Sequence, residues 1–294
     1  MRAGRARQSL LLDVGNSRLK WAMARGARIG RQRALPVGSR GALPAAALLA
    51  TLPKRLDAIR MVSVARPART RALVRALRQA TGAEVLELRT TMRAGGVRCG
   101  YFEPWRLGAD RWAAVIGAHH LFAPPQALCV VDIGTAMTID FVSRSGQHGG
   151  GVIVPAPALM VDVLLRDTQG IRRRAAPGSA RRRTLFARST QEAIVQGSCH
   201  SAAALIERAC RAARARYAVQ PRLVMTGGGA AAVLPLLTLP YAHVPDLVLR
   251  GLAALDYTRR RAHAVLRPAR RQPRPLWLGH AHAGCATDGK FAAS

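Results

Sequence analysis

The chain has 294 residues, of which 49% are hydrophobic, and carries 46 basic residues against 15 acids for a net charge of +31. That length and apolar share suit two modest domains, or one large domain with a tail, while no apolar run reaches the roughly 20 residues of a membrane span. The five cysteines (Cys99, Cys129, Cys199, Cys210 and Cys285) are scattered without a CxxC pair, which argues against a zinc site or a disulfide framework.

The first residues, MRAGRARQSLLLDVG, superficially resemble an export signal, with arginines before three leucines. The apolar part is too short and runs straight into Asp13, so the segment reads as a basic leader before a first strand, with the cytoplasm as the expected location. Leu10–Leu12 lead into Asp13, an aliphatic residue, Gly15 and the small polar pair Asn16 and Ser17. Leu19 to Met23 continue as a returning strand, with Lys20 near the turn.

Residues 24 to 60 are rich in Arg, Ala, Pro and Gly, with a helix expected around Leu43 to Leu52. Met61 to Val64 form a short strand. Thr70 to Ala80 place Leu73, Val74 and Leu77 at helical spacing with arginines opposite, and Glu84 to Leu88 form another strand. In Gly100 to Trp112, Pro104 and Gly108 mark a loop, and Asp110 or a neighbour opens a helix that runs to His120. Asp110 beside Arg111 at a helix start either binds a polar substrate or caps the helix with its charge. His119 and His120, at the far end, read as partners of the C-terminal dipole.

Cys129 to Val142, CVVDIGTAMTIDFV, is the stretch around which the chain is organised. A buried strand ends at Asp132, Gly134 and Thr135 make a tight turn, and alternating residues return as an antiparallel strand. Glycine, free N–H groups and a hydroxyl suit an anion, and a carboxylate at the strand end can hold a cation beside it. An ordinary hairpin is the alternative. Asp132-Ile133-Gly134-Thr135-Ala136 repeats the form of Asp13-Val14-Gly15-Asn16-Ser17, as expected of a duplicated α/β fold with a cleft between its halves.

Gly149-Gly150-Gly151 approach a further strand, and a helix is expected at Ala158 to Leu165. Residues 172 to 183 form a basic loop expected to be mobile. Ser189 to Ala213 read as a long helix capped by Ser189 or Thr190, with the interior Gly197 implying close packing. Arg222 to Thr226 form a strand ending in Gly227, Gly228 and Gly229, room for a flat ring or ribose or else a plain turn. Val244 to Leu255 is an apolar helix, and a disordered tail is expected from Arg259.

Only Lys20, Lys54 and Lys290 are lysines, which leaves 43 arginines. Such a field attracts nucleic acid, acidic membranes or phosphorylated ligands, or it reflects a bias toward arginine at solvated positions. The arginines are spread widely and aromatics are only 4%, so any nucleic-acid binding is expected to be non-specific.

Taken in order, DVGNSRLKWA at 13–22, YFEPWRLGADRW at 101–112 and VVDIGTAMTIDFV at 130–142 resemble the type III pantothenate kinase family, including its Bvg accessory factor branch. GGVIVP at 150–155, STQEAIVQG at 189–197, TGGG at 226–229 and PDLVLRGL at 245–252 extend the resemblance over roughly Leu10 to Leu255. It implies an α/β fold of the acetate/sugar kinase–Hsc70–actin type, duplicated as in actin-like ATPases. The halves would span residues 8–123 and 124–258, with a basic tail at 259–294. It also implies ATP-dependent phosphorylation of pantothenate to 4′-phosphopantothenate by a homodimer, with Mg2+ or another divalent metal and K+ or NH4+ as cofactors.

By that resemblance Asp13, Val14, Gly15, Asn16, Ser17, Arg18, Leu19 and Lys20 embrace the ATP phosphates, with Asp13 near the magnesium. Thr135 contacts the phosphates, and Gly227 and Gly228 line the nucleoside side. Asp132 is the monovalent-cation ligand and Asp110 the general base. Tyr101, Gly108, Ala109, Asp110 and Arg111 bind pantothenate, with Thr190 offered across the dimer. Two positions depart from the family pattern: Ala156 stands where glycine is usual, and Gly229 where an aspartate is usual. The alternatives are another small-molecule kinase on the same fold, or a non-catalytic nucleic-acid-binding accessory protein.

Overall fold

The computed structural model describes residues 8–26, 28–38, 41–168, 184–258 and 266–268. The basic loop expected at 172–183 and most of the expected tail lie outside them.

Strand β1 (Gln8–Val14) is apolar along most of its length because both of its faces are covered. Leu10, Leu12 and Val14 join a core with Leu48 of helix α1 (Ala45–Leu49) and with Leu73, Val74 and Leu77 of α2 (Pro67–Thr81). Leu11 faces the other way, into a core built on α3 (Ala109–Leu121). Around β1 lie β2 (Arg18–Arg25), β3 (Arg28–Ile29), β4 (Arg33–Pro36), β5 (Ala58–Ser63) and β6 (Val85–Leu88). A small separate hairpin pairs β7 (Arg93–Ala94) with β8 (Val97–Arg98).

The second sheet contains β9 (Leu128–Ile133), β10 (Ala136–Val142), β11 (His148–Pro155), β12 (Arg222–Thr226) and β13 (Tyr241–His243). Its helices are α4 (Pro157–Asp167), α5 (Thr190–Tyr217), the short α6 (Ala230–Val233) and α7 (Leu247–Thr258). Residues of β9 alternate like those of β1: Cys129, Val131 and Ile133 pack with α5, while Leu128 and Val130 pack with α3 and α7.

The two sheets repeat one design. The first has the order β6–β5–β1–β2–β3 and the second β13–β12–β9–β10–β11. In each, an antiparallel hairpin (β1–β2, β9–β10) is followed by strands parallel to its first member. The layers therefore run α1/α2, first sheet, α3/α7, second sheet, α5, with the largest apolar cluster between the sheets. Helices α3 and α7 cross backbone to backbone: a Cβ on Gly251 would overlap the carbonyl of Ala113, and one on Gly117 would overlap that of Leu247.

Several elements differ from the pattern in the sequence. Strand β5 begins at Ala58 instead of Met61, because Arg60 lies inside it, 3% exposed, with Nη2 3.4 Å from Oγ of Ser9. A buried arginine does not register as a strand residue in an apolar pattern. The short β3, β4, β7, β8 and β13 carry too few residues for a period to show. Close packing at Gly197 is not found: among the described residues, nothing beyond its own helix backbone and chain neighbours lies within 4 Å of where its Cβ would stand. Within the expected tail, β14 (Leu266–Pro268) pairs antiparallel with β6 at the edge of the first sheet. The helix expected at Leu43 to Leu52 is shorter, Ala45–Leu49, and the long helix is capped as expected, with Oγ of Ser189 accepting from the N–H of Glu192 at 3.3 Å.

Candidate active site

The duplicated hairpins place two similar turns face to face. In the first, the N–H of Gly15 donates to the carbonyl of Arg18 at 3.0 Å, and a Cβ on Gly15 would come within 2.9 Å of that oxygen. In the second, the N–H of Gly134 donates to the carbonyl of Ala136 at 2.9 Å. The two turns, 118 residues apart in sequence, meet where the hydroxyls of Ser17 and Thr135 hydrogen-bond at 2.8 Å. The third glycine turn closes on them. Gly227 has φ +93° and packs so tightly on Asp132 and the backbone of Ile133 that a side chain would overlap both. A Cβ on Gly228 would stand 3.7 Å from Nη1 of Arg18, so the first hairpin reaches the end of β12.

Asp13 and Asp132 end equivalent strands. Register sets Lys20 opposite Asp13 and Thr138 opposite Asp132, and Nζ of Lys20 lies 3.9 Å from Oδ2 of Asp13. Burial lifts the Asp13 carboxyl from 3.8 to about 7, against the pull of Lys20, with Asp132 and Asp110 adding to the rise. Burial likewise lifts Asp132 from 3.8 to about 6, again opposed by Lys20 and reinforced by Asp110 and Asp140. These carboxylates thus sense one another across a shared site with one lysine to balance them.

This balance predicts a pH response. Both groups bind their protons more tightly in the fold than in the unfolded chain, so the stability they contribute is fully present below about pH 4 and is lost as pH rises through about 6 to 7. Urea unfolding of cation-free protein should give a higher midpoint near pH 5 than near pH 8, with added cations recovering stability mainly at the higher pH. A midpoint that rises between those pH values would contradict it.

Asp110 lies in the first turn of α3, where the helix dipole favours an anion. Its Oδ1 accepts the N–H of Arg111 at 2.8 Å, and Gly108 leaves room for that carboxylate, since a Cβ there would stand 2.7 Å from it. The Arg111 guanidinium turns away into the protein and is only 6% exposed. It grips Asp140 through Nε–Oδ2 at 2.8 Å and Nη2–Oδ1 at 2.6 Å, and its Nη1 donates to the Tyr101 hydroxyl at 3.0 Å. Three of its five N–H donors are therefore committed to the protein, which narrows the part it can play toward a substrate carboxylate.

The structure brings together Asp13, Gly15, Ser17, Arg18, Lys20, Thr135, Asp132, Gly227 and Gly228, with Asp110 close enough to raise the pKa of both Asp13 and Asp132. Asn16 is exposed within the first turn. Val14 and Leu19 are fully buried in the core, so only their backbone belongs to the turn. Tyr101, Gly108, Ala109 and Arg111 form the flank beyond Asp110. Thr190 opens α5, and no hydrogen bond joins it to that flank among the described residues. Asp140 and His148 escaped notice in the sequence. The signal available was an acid, Asp140, in the middle of a buried strand of an acid-poor chain.

Neither departure strains the backbone. Ala156 has φ −71° and ψ 159°, open to any residue. Gly229 donates its N–H to the carbonyl of Ile133 at 2.9 Å, and a Cβ there would stand 2.8 Å from Cγ2 of Ile133. An aspartate at 229 would need β9 or its Ile133 side chain to move.

Two copies of one mixed sheet around a central helix pair, with their hairpin turns meeting at the Ser17–Thr135 hydrogen bond, define the fold class of actin-like ATPases and sugar kinases. A solved structure from Sinorhizobium meliloti, provisionally described as a 2-dehydro-3-deoxygalactonokinase, shares the fold with a TM-score of 0.52 at 12% identity, over 86% of this chain and 99% of that one. Residues 9–212 match the sequence profile of the type III pantothenate kinases. The chain is 37% identical over 248 residues to a type III pantothenate kinase of Halorhodospira halophila, covering 83% of this chain and 95% of that protein. It is 39% identical over 248 residues to one of Ectopseudomonas mendocina, covering 83% and 97%. The chain belongs to the type III pantothenate kinase family.

Proposed function

We propose that the protein transfers the γ-phosphoryl group of ATP to the hydroxyl of pantothenate, giving 4′-phosphopantothenate, the first step of coenzyme A synthesis. The observation that carries this reading, beside family membership, is the meeting of both glycine hairpins at the Ser17–Thr135 hydrogen bond, next to an acid at a helix start. The 13–20 turn and Thr135 hold the ATP phosphates through N–H groups and hydroxyls, and Gly227 and Gly228 give the nucleoside a surface free of side chains. Arg18 and Lys20 add positive charge on the phosphate side. Tyr101, Gly108, Ala109 and Arg111 orient pantothenate. Asp110 keeps Oδ1 on the N–H of Arg111 and offers Oδ2 to the hydroxyl, taking its proton as the oxygen attacks phosphorus in line.

Two carboxylates with raised pKa values, Asp13 buried and Asp132 half-buried, suit cations, which would relieve the cost of ionising them. Among the described residues no three His, Cys, Asp or Glu side chains gather as a metal cluster. Each cation would then share one carboxylate with backbone and phosphate oxygens: Mg2+ beside Asp13, and K+ or NH4+ on Asp132. Bound there, they would neutralise phosphate charge. Asp132→Ala should abolish stimulation by potassium while leaving the magnesium requirement. Initial rates over a potassium series decide it, and unchanged stimulation would count against Asp132.

A homodimer is part of the proposal. Val152 and Ile153 of the edge strand β11, Val163 and Leu164 of α4, and Leu185 and Phe186 stand exposed ahead of Thr190. In such a dimer Thr190 is proposed to serve the partner's pantothenate. No helix among the described residues is long and apolar enough to cross a membrane, and cytoplasmic residence is proposed. The test is ADP release with ATP, magnesium and potassium, with and without pantothenate. Release that depends on pantothenate supports the reading, and release driven instead by another small alcohol would replace it with a different kinase.

A further inference from the structure

We infer that Asp140 and His148 are positioning residues for the proposed reaction, holding Arg111 and Tyr101 so that Asp110 and the pantothenate flank keep one geometry. The inference rests on the proposed function.

A single chain of hydrogen bonds links the second sheet to the start of α3. The N–H of Gly100 donates to Nδ1 of His148 at 3.3 Å. That fixes the imidazole proton on Nε2, which donates to Oδ1 of Asp140 at 2.8 Å. Asp140 grips Arg111 at both oxygens, and Arg111 in turn touches two site groups: its backbone N–H holds Oδ1 of Asp110, and its Nη1 donates to the Tyr101 hydroxyl. The phenol oxygen is thereby left to donate its own proton to a ligand oxygen. The Tyr101 ring stacks on His148 at 5.9 Å between centroids and 24° between planes, so the imidazole also fixes the ring plane.

Burial makes the arrangement rigid. Asp140 is 2% exposed and His148 1%. Gly151 supplies the space: a Cβ there would overlap Oδ1 of Asp140 and crowd Nη2 of Arg111. Asp140 is opposite Gly151 in register, so the partner strand has no side chain where the guanidinium enters. A buried carboxylate with two acceptors filled by a fork and one shared with an imidazole leaves Arg111 a single orientation. A loss of order of an ångström at such a group costs about 10²-fold in turnover.

The test compares wild type, Asp140→Asn, His148→Phe and His148→Gln, each checked for folding by circular dichroism and for ATP binding. Wild-type turnover of pantothenate is read first, and an inactive wild type overturns the functional reading and this inference with it. With turnover present, kcat/KM for pantothenate should fall by about 10²-fold in Asp140→Asn and His148→Phe, with the KM for ATP unchanged. His148→Gln, whose amide N–H can reach Asp140, should recover much of the loss. If Asp140→Asn does not fold, the two His148 variants carry the test alone. Folded variants with wild-type kcat/KM for pantothenate overturn the inference. So does a loss that raises the KM for ATP and pantothenate together and is not relieved by glutamine, since that is what a general loosening of the fold would produce.

Discussion

Asp110→Asn is expected to lower kcat by about 10²–10⁴-fold, the range of a lost general base, with the fold and ATP binding intact. The amide keeps the shape of the carboxylate, and its oxygen can still accept the N–H of Arg111, a bond of 2.8 Å in the native protein. What it cannot do is take the proton from the attacking hydroxyl. The change also removes a negative charge that helps raise Asp13 and Asp132, so both should titrate lower in the variant. Steady-state rates together with nucleotide binding by calorimetry check both halves. A near-normal kcat would remove Asp110 from the chemistry.

Gly251→Val is expected to be the most damaging single change to stability. The Cβ alone would overlap the Ala113 carbonyl, and that obstacle is backbone inside a helix, which no rotamer can relieve. Helices α3 and α7 must then part, and the core between the two sheets opens with them. Overpacking typically costs about 1–3 kcal/mol, and the upper end or beyond applies when backbone must move. Against a typical total of about 5–15 kcal/mol this is a large fraction. Gly197→Ala is the control: among the described residues, nothing beyond its own helix backbone and chain neighbours stands within 4 Å of its Cβ position, and replacing an interior helix glycine by alanine gains up to about 1 kcal/mol. Urea midpoints should move in opposite directions for the two variants. Equal behaviour would mean that the helix crossing is not the constraint.

Because α3 carries Asp110 in its first turn and Gly117 two turns further on, the crossing with α7 also aims the proposed base. The same helix packs against β9 and β10 of the second sheet as well as β5 and β8 of the first half, so the position of Asp110 relative to both hairpin turns is set by core packing.

How much of this was legible in the sequence follows from the range of each signal. The repeated strand–Asp–x–Gly turns were visible because the signal is local, and the duplication of the sheets follows from them. The capped helix from Thr190 was visible for the same reason, through Ser189 and Glu192. Arg111 shows where local reading stops. Its place beside Asp110 suggested a hand held out to substrate, but Asp140, 29 residues away, takes two of its donors. Nothing in the spacing of Arg111 and Asp140 announces that pairing, since it depends on the register of β10 against β11 and on the missing side chain at Gly151. Gly197 differs in the other direction: glycine in a helix implies a close neighbour only when some element passes there, and among the described residues none does. Val14 and Leu19 fell inside a motif whose flanks are core, so membership of the motif did not make their side chains part of the site.

The most direct measurement of the central claim is identification of the product by mass spectrometry and 31P NMR after incubation with pantothenate, ATP, magnesium and potassium. The predicted result is 4′-phosphopantothenate in stoichiometric amount with ADP from the wild type, and almost none from Asp110→Asn under the same conditions. ADP formed without phosphopantothenate, or equal yields from the two proteins, would contradict it.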